Sequence, residues 1–334
     1  MVRAMTKTLV TGAAGFIGSH VTRLLLDAGR DVRALIFPGE EVSNLDGLEI
    51  ERLEGDIRDR AAMDRAMEGC DRVFHLAAIY AIWLPEPTQM WDVNVHGSRV
   101  VCDAALAAGI ERMVYTSSIA AVGTLPGEQE ADETVPFNGW GIANDYVFSK
   151  YVGELEARDA VRRGLPATIV NPAFPFGWGD LRPTPTGGIV LAIMKGQFPG
   201  WYEAGFNIVD VEDVAIGHLL AEEKGGVGER YILGNENLHS REFMQMVGEV
   251  CGRKVPDRKL PLPILKALGT LLETVSDRVT HKRPFMTRKA IEYAAQHLYY
   301  DTSKARTELG YEPRPVRDSI VRAAEWFRHR GLAH

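Results

Sequence analysis

The chain has 334 residues, with 38 basic and 45 acidic side chains and a formal net charge of −7. It has neither a basic stripe nor a zinc-type spacing of Cys and His residues, which argues against nucleic-acid binding and predicts no metal site. Its three widely spaced cysteines indicate reduced thiols and a cytoplasmic location, and no apolar run is long enough to predict a transmembrane segment. Residues 1–6 are too few for a signal peptide.

The first predicted element is an apolar strand, Lys7 to Val10, followed by the sequence TGAAGFIG and then by apolar residues at helical spacing. Gly12 permits a tight turn, Gly15 lets the backbone approach a pyrophosphate, and Gly18 allows the helix to pack closely on the sheet. The amino terminus of the helix offers free N–H groups to phosphates. A turn without a ligand is the alternative, but the pattern predicts a dinucleotide site that includes Gly12, Ala14, Gly15, Phe16, Ile17 and Gly18.

Strand and helix patterns alternate along the first half of the chain, with strands expected at residues 7–10, 31–36, 49–53, 72–76, 112–116 and 167–170. This alternation predicts an α/β fold with a doubly wound parallel sheet. Prolines and glycines from Pro172 onward indicate that the chain leaves this sheet. We expect a dinucleotide-binding domain over residues 1–172, to which 206–237 return. A smaller C-terminal substrate-binding lobe is expected over 173–205 and 238–334.

Tyr146 and Lys150 lie four residues apart in a helical pattern and therefore share one face of the helix. An ammonium nearby favours phenolate, so we expect Lys150 to lower the pKa of Tyr146 from about 10 toward working pH. Such a tyrosine can exchange a proton with a substrate hydroxyl or carbonyl. Ser118 follows the predicted strand 112–116 and is expected to bind the same substrate oxygen. Taken singly, these residues have simpler alternatives: Tyr146 and Lys150 as an ordinary surface pair, and Ser118 as a cap at the end of the strand.

Together these motifs resemble those of the extended short-chain dehydrogenase/reductase family, along residues 7 to 327. The resemblance is carried by TGAAGFIG, Gly55-Asp56-Ile57, His75-Leu76-Ala77-Ala78, Asn94-Val95-His96-Gly97-Ser98, YTSS, YVFSK and Asn171-Pro172. The sequences GDLRPTPTG and YDTSKARTELGYEPRP are similar to the dihydroflavonol-4-reductase-like and hopanoid-associated branch of that family. The resemblance implies a Rossmann fold and an NAD(P)-dependent oxidoreductase.

The resemblance also implies which residues hold the cofactor. Asp56 and Ile57 would flank the adenine, Lys150 would hold the nicotinamide ribose, and Asn94 would feed a water-mediated proton relay as a further catalytic residue. The other implied cofactor contacts are Leu76, Ala77, Ala78, Ser117, Tyr146, Asn171, Pro172 and Ala173.

The sequence departs from the family pattern where the cofactor's 2′ position should lie. Family members that prefer NAD carry an acid about where Ile36 stands, and those that prefer NADP carry an arginine about where Phe37 stands. Neither is present. A 2′-phosphate would lack its bidentate partner unless Arg33 supplies one. We therefore expect NAD(P) to bind near Arg33 and Phe37, with NAD favoured.

The segments expected around the nicotinamide are aromatic and largely apolar. The alternative for each aromatic residue is that it packs between the two lobes and does not contact a substrate. Only Arg182 and Lys195 are local candidates for binding the diphosphate of a nucleotide sugar. The set favours a small hydrophobic substrate with a ring, such as a dihydroflavonol, a steroid or a terpenoid, bound by Tyr80, Trp83, Ser118, Trp140, Phe174 and Trp178.

The reaction type can be narrowed from the residues that follow Ser118. Family dehydratases carry an Asp-Glu pair there, whereas Ile119 and Ala120 stand here. We expect a reversible reduction of a ketone to a secondary alcohol, with Tyr146 as the proton donor or acceptor. A nucleotide-sugar 4-epimerase with tightly bound NAD is the alternative. A non-catalytic dinucleotide sensor is disfavoured because Tyr146 and Lys150 are both present.

Two helical regions are candidates for contact with a second copy of the chain or with a membrane. Related enzymes form homodimers through the helices expected here at 96–108 and 146–160, although burial against their own sheet explains those apolar residues equally well. A further apolar stripe is more typical of a core or a lid than of a membrane anchor. That stripe consists of Leu262, Ile264, Leu265, Leu268, Leu271, Leu272 and Val275.

Overall fold

The computed structural model describes residues 6–282 and 284–333. Two expectations, a domain that starts at residue 1 and the absence of a signal peptide, concern residues 1–6. Of these, only residue 6 lies within the described range. The strands are β1 (Lys7–Thr11), β2 (Asp31–Ile36), β3 (Glu51–Glu54), β4 (Arg72–His75), β5 (Arg112–Thr116), β6 (Ala167–Pro172), β7 (Phe174–Phe176), β8 (Gly205–Asp210), β9 (Arg230–Leu233), β10 (Glu236–His239) and β11 (His297–Leu298).

The helices are α1 (Phe16–Asp27), α2 (Arg60–Met67), α3 (Thr88–Trp91), α4 (Ser98–Ala108), α5 (Asp145–Arg162), α6 (Pro185–Met194), α7 (Val211–Lys224), α8 (Ser240–Cys251), α9 (Leu262–Val275), α10 (Arg288–Ala294) and α11 (Val316–His329). A π-helical turn, Asp92–Gly97, joins α3 to α4, and two others lie at Ser276–Thr280 and Ala305–Leu309. Short 3₁₀ turns lie at Ser43–Leu45 and Ile119–Ala121. None of the helices in the described ranges is both long and apolar enough to cross a membrane.

The larger sheet confirms the doubly wound α/β prediction. Its seven strands run in the order β3-β2-β1-β4-β5-β6-β9, and every neighbouring pair is parallel. The strand order reverses between β1 and β4, and the carboxyl ends of strands at such a reversal border a ligand crevice. The fold therefore places the glycine turn after β1 and the loop after β4 at one crevice.

A second, smaller sheet belongs to the C-terminal lobe. In it β8 pairs with β7 and β11 in parallel and with β10 in an antiparallel direction. Within the segment 206–237, β8 pairs with β7 of the smaller sheet, whereas β9 joins the larger sheet and α7 packs against α1. The division of the chain into two domains stays a prediction.

Buried ion pairs fix α7 to the beginning of the larger sheet. The Glu222 carboxylate on α7 accepts hydrogen bonds from Arg30 at 2.5 and 2.7 Å and pairs with Arg72 at 3.1 Å. Since Glu222 is buried, these two arginines supply the compensation that a carboxylate needs away from water.

The helices expected to form a dimer interface bury most of their apolar residues within the chain itself. Val100, Val101, Ala104, Ala105 and Val147 are buried there. Packing against their own sheet thus explains the first four residues, whereas Val147 packs on Ala120 and Ala143.

Two buried histidines hold strand ends by neutral hydrogen bonds. The Nδ1 atom of His75 lies 2.7 Å from Oγ1 of Thr11, and Nε2 of His218 lies 2.9 Å from Oγ1 of Thr116. Burial lowers the pKa of His75 to about 3, with the charge of Lys150 adding to the effect, and burial lowers the pKa of His218 to about 4. Both rings are therefore neutral in the folded chain at physiological pH.

We expect the free energy of unfolding to fall as the pH is lowered from about 7.5 to about 5.5. The unfolded chain protonates these two histidines below about pH 6.5 while the folded chain does not, so each costs about 1.4 kcal/mol over that interval. Urea unfolding at several pH values measures the loss. The substitution His218→Gln should remove about half of the histidine contribution, whereas His96→Gln, at an exposed position, should leave it unchanged. Identical pH dependence in all three proteins would contradict the prediction.

Candidate active site

The glycine turn brings β1, α1 and the loop after β4 into close contact. Gly12 has a φ of +71°, and a Cβ atom there would lie 2.6 Å from the backbone nitrogen of Ala77. A Cβ atom on Gly18 would lie 2.0 Å from the carbonyl oxygen of Gly12. Side chains at either position are therefore excluded by backbone atoms. The turn leaves the amino terminus of α1 open toward the crevice, which is the geometry that suits a pyrophosphate.

The helix α5 presents the tyrosine and lysine to the same crevice. It begins after Asn144, whose side chain accepts a hydrogen bond from the backbone N–H of Val147 at 3.0 Å. Lys150 is buried and donates from Nζ to the carbonyl oxygen of Thr116, at the end of β5, at 2.9 Å. Tyr146 lies beside Ser118, whose side chain acts to lower the pKa of Tyr146, and both residues border one cavity. The three residues predicted from sequence thus meet at the carboxyl end of β5.

The expected lowering of the Tyr146 pKa by Lys150 is not found. Burial raises the pKa of Tyr146 to about 12, against a smaller opposing effect of the Ser118 hydrogen bond. Burial also lowers the pKa of Lys150 to about 8, while the charge of Glu154 opposes that shift. The reason is desolvation, which disfavours both charged forms more than the pair gains from its spacing on the helix. Tyr146 is therefore a phenol at neutral pH.

Asn94 occupies the π-helical turn and is buried, but its side chain is fully engaged by protein atoms. Its Oδ1 accepts from the backbone N–H of Ile79 at 2.7 Å, and its Nδ2 donates to the carbonyl of Ile79 and to Oγ of Ser149 at 3.0 and 2.9 Å. A Cβ atom on Gly153 would lie 2.5 Å from the carbonyl oxygen of Asn94, so α5 approaches this turn closely. The side chain of Asn94 therefore ties the loop after β4 to α5, and a role in a proton relay stays a prediction.

A carboxylate that the sequence analysis missed lies beneath the site. Glu154, one helical turn after Lys150, is 2% exposed. Its Oε2 accepts from Oγ of Ser117 at 2.6 Å and from Nδ2 of Asn171 at 2.8 Å. Its Oε1 pairs with Arg158 at 2.8 Å and with Arg230 at 3.2 Å. The i, i+4 spacing from Lys150 was the available sequence signal.

A cavity of about 350 Å³ opens in front of Tyr146. Among the described residues that line it, Lys150 is the only Lys or Arg, and neither Asp nor Glu is present. The second lobe supplies much of the wall, including residues that the sequence analysis did not identify because they come from distant parts of the chain. These are Thr184, Pro185, Thr186, Ile189, Tyr202, Phe206, Phe243, Ala290, Tyr293 and Ala294.

Twelve of the predicted cofactor residues line this cavity, and Ala14 borders a small neighbouring cavity of about 130 Å³. Asn171 lies just behind the wall, where its Nδ2 donates to the carbonyl of Ser118 at 2.9 Å. The carboxylate of Asp56 is engaged by Arg58, which lowers the pKa of Asp56. The twelve are Gly12, Gly15, Phe16, Ile17, Gly18, Leu76, Ala78, Ser117, Tyr146, Lys150, Pro172 and Ala173.

Arg33 does not point toward the 2′ position, so its assignment to the cofactor is corrected. Its side chain is buried on the other side of β2, where Nη1 donates to the carbonyl oxygens of Ala66 and Glu68 at 2.8 and 2.7 Å. Nε pairs with Glu51 at 3.0 Å. These bonds satisfy the carbonyls at the end of α2 and leave no guanidinium for a 2′-phosphate. Phe37, just after β2, is exposed.

The predicted substrate residues divide into two groups. Tyr80, Phe174 and Ser118 line the cavity, and the ring of Tyr80 lies 4.7 Å from that of Tyr146. Trp140 and Trp178 do not line it, which corrects their assignment.

Both tryptophans have structural partners elsewhere. Trp140 is exposed and packs on Phe137 and Tyr151 on the outer side of α5. Trp178 donates to Glu212 at 2.8 Å and packs against His20, thus bridging α7 and α1. Trp83 borders a second cavity instead, and its Nε1 donates to Oδ1 of Asp277 at 2.9 Å.

Comparison with known proteins places this geometry among enzymes. The model of the NAD dependent epimerase/dehydratase family matches residues 8–234. A dihydroflavonol 4-reductase-like protein of Synechocystis sp. is 37% identical over 326 residues, covering 96% of this chain and 94% of that protein. Sterol demethylase protein B of Methylococcus capsulatus is 36% identical over 326 residues, with coverage of 97% and 99%.

Solved structures share the fold along nearly the whole chain. A nucleoside-diphosphate-sugar epimerase from Pseudomonas aeruginosa has a TM-score of 0.82 and 27% sequence identity, and the match covers 99% of this chain and 100% of that one. The comparison confirms the Rossmann-type architecture and includes a sugar-nucleotide enzyme among the structural neighbours.

We expect Glu154→Gln to lower the free energy of unfolding by about 3 kcal/mol, because Arg230 would lose the counter-charge that compensates its burial. Denaturant unfolding measures the change. The matched control is Glu156→Gln on the same helix, which removes an exposed pair with Arg99 and should cost less than about 1 kcal/mol. Equal costs for the two substitutions would refute the buried role of Glu154.

Proposed function

The chain belongs to the NAD dependent epimerase/dehydratase family, and on this premise we propose that it interconverts a ketone and a secondary alcohol on a hydrophobic substrate that contains a ring. The observation that carries the proposal is that Tyr146 and Ser118 both border a cavity whose described lining holds one cation and no carboxylate. A nicotinamide cofactor would supply or accept the hydride. The chain's own residues then handle the substrate oxygen and its proton.

The protonation state of Tyr146 supports ketone reduction. As a phenol, Tyr146 can donate a hydrogen bond and then a proton to a carbonyl oxygen held by Ser118. The glycine turn would hold the pyrophosphate, and Lys150 would bind the nicotinamide ribose while its charge favours loss of the tyrosine proton during the reaction. Oxidation of an alcohol requires the phenolate instead, which is less populated at neutral pH because burial raises the pKa of Tyr146.

The walls of the cavity support a ring substrate with little charge. Phe174, Phe206, Phe243 and Ile189 offer apolar surface, while Tyr293 adds an amphipathic ring. Aromatic side chains of this kind bind rings through stacked and edge contacts. The names of two relatives refer to a dihydroflavonol and a sterol, both of which are multi-ring compounds. A dihydroflavonol-, steroid- or terpenoid-like ketone is the substrate class that we propose.

A nucleotide-sugar 4-epimerase is the second candidate, favoured by the likeness to the Pseudomonas aeruginosa epimerase. A sugar diphosphate needs cations, usually arginine, in the binding site. Arg182 borders only the small cavity beside Ala14, together with Glu40 and Glu41. Lys150 is the only Lys or Arg among the described residues that line the main cavity, so the epimerase is the weaker proposal.

NAD is the cofactor that we favour over NADP. The carboxylate of Glu40 lies at the end of β2, where its Oε2 accepts from the backbone N–H of Phe37 at 3.2 Å. A 2′-phosphate near this carboxylate would be repelled, whereas ribose hydroxyls could donate to it. A homodimer and a cytoplasmic location complete the proposal. The cytoplasmic location rests on three cysteines that are unpaired in the structure.

We expect turnover of NADH, followed at 340 nm, with steroid-like or aromatic ketones, and a loss of about a hundredfold or more in kcat for Tyr146→Phe. The matched control is Tyr151→Phe on the same helix, whose ring stacks on Phe137 outside the cavity and which should keep near wild-type rates. Near wild-type turnover by Tyr146→Phe would refute the assignment. Conversion of a UDP-sugar without added cofactor, and no ketone turnover, would establish the epimerase instead.

For ketone reduction we expect kcat/KM to stay level below about pH 8 and to fall above it. The pKa of Lys150 is lowered to about 8, so its charge is lost as the pH rises, whereas Tyr146, with a pKa of about 12, keeps its proton across this range. Measuring kcat/KM against pH at saturating NADH detects this decrease. An active Lys150→Arg variant should show no decrease above about pH 8, because arginine stays charged. A constant kcat/KM of the wild type up to about pH 10 would contradict the prediction.

A further inference from the structure

The helix α9 carries apolar side chains on its outer surface, a finding that neither a core nor a simple lid explains. Ile264, Leu271 and Val279 are 64%, 59% and 70% exposed, and Leu268 and Val275 are 42% and 39% exposed. Ile264, Leu268, Leu271 and Val275 lie at helical spacing, and Val279 follows in the adjoining π-helical turn. We call these five residues the α9 stripe. Contiguous exposed apolar surface of this kind marks an interaction site.

The opposite side of α9 is fixed to the lobe. Gly269 is the one buried residue of the helix, and a Cβ atom there would lie 2.9 Å from the backbone nitrogen of Arg288 and from Cδ1 of Ile291. The close approach of α9 to α10 therefore leaves the α9 stripe facing outward as a firmly held surface.

The segment around the α9 stripe is basic in an acidic protein. Residues 262–289 contain six Lys and Arg residues and two acidic ones, whereas the chain has a net charge of −7. Arg278 and Lys282 are exposed, whereas Arg288 and Lys289, also exposed, pair with the carboxylate of Glu292 at 3.0 and 3.6 Å. An amphipathic helix whose apolar stripe is accompanied by cations is typical of helices that lie in the interface of a membrane with anionic lipids.

The cavities beside Tyr146 adjoin α10 and the inner side of α9. Ala290, Tyr293 and Ala294 of α10 line the main cavity. A second cavity of about 510 Å³ is bordered by Trp83, Asp277 and Tyr146, and it shares Ala81, Ile82, Asn144 and Tyr146 with the main cavity. The residue of α9 that borders the second cavity is Glu273, which lies on the side of the helix opposite the α9 stripe.

We propose that the α9 stripe docks on the surface of a bilayer that contains anionic lipids, with α9 lying in the interface. The stripe supplies apolar contact, and Arg278 and Lys282 supply attraction to headgroups. Docking requires no turnover, so this proposal is independent of the proposed function.

Flotation of the full chain with vesicles tests the docking. Vesicles of phosphatidylcholine with about 30% phosphatidylglycerol are compared with pure phosphatidylcholine, at low salt and at about 0.5 M NaCl. The test variant is Ile264→Ser with Leu271→Ser. The matched control is Leu155→Ser with Val227→Ser, which removes two other exposed apolar side chains, 41% and 55% exposed, on other parts of the surface. Circular dichroism confirms that each variant is folded.

We expect binding to the anionic vesicles by the wild type and the control, a weaker interaction with neutral vesicles or high salt, and at least about a tenfold lower partition coefficient for the test variant. Three outcomes would overturn the proposal: no vesicle binding by the wild type, equal binding by test and control variants, or a self-association that the test variant abolishes while vesicles bind neither protein. The last outcome would assign the stripe to a second copy of the chain. Failure of ketone turnover leaves all of these readouts unchanged.

Discussion

The buried carboxylate of Glu154 is the constraint on which the active site depends. It joins α5 to the ends of β5 and β6 through Ser117 and Asn171, and to β9 through Arg230. Those elements carry Lys150, Ser118 and the backbone around Pro172, so one charge holds together the parts of the site that come from separate regions of sequence. The same charge opposes the loss of the Lys150 proton that burial favours. Glu154 thus contributes both to the positions of these residues and to the ionisation of Lys150.

Local patterns were sufficient to predict six of the seven strands of the larger sheet, the glycine turn and the meeting of Tyr146, Lys150 and Ser118. These features depend on residues close together in sequence or on strand ends that a parallel sheet brings to one edge. The orientation of Arg33 could not be predicted, because its partners, the carbonyls after α2, are separated from it by more than thirty residues. Trp178 was misassigned for the same reason, since Glu212 and His20 hold it away from the cavity.

The pKa of Tyr146 shows why spacing alone does not determine chemistry. The i, i+4 pattern placed the lysine correctly, but the balance between attraction and desolvation depends on the second lobe, which covers both groups. That lobe is built from β7, β8, β10, β11 and helices far along the chain. Tyr202, Phe206 and Tyr293 reach the cavity from three of its segments. The larger sheet therefore supplies Tyr146, Lys150 and Ser118, and the smaller lobe supplies a separate wall of the cavity in front of them.

The contact at Gly269 has a mechanical consequence. Because α9 meets the start of α10 without an intervening side chain, the two helices have little room to slide past each other. A force applied to the outer surface of α9 would pass to α10 and so to the ring of Tyr293 in the cavity wall. The contact at Gly269 therefore links the outside of the lobe to the helix that carries Tyr293.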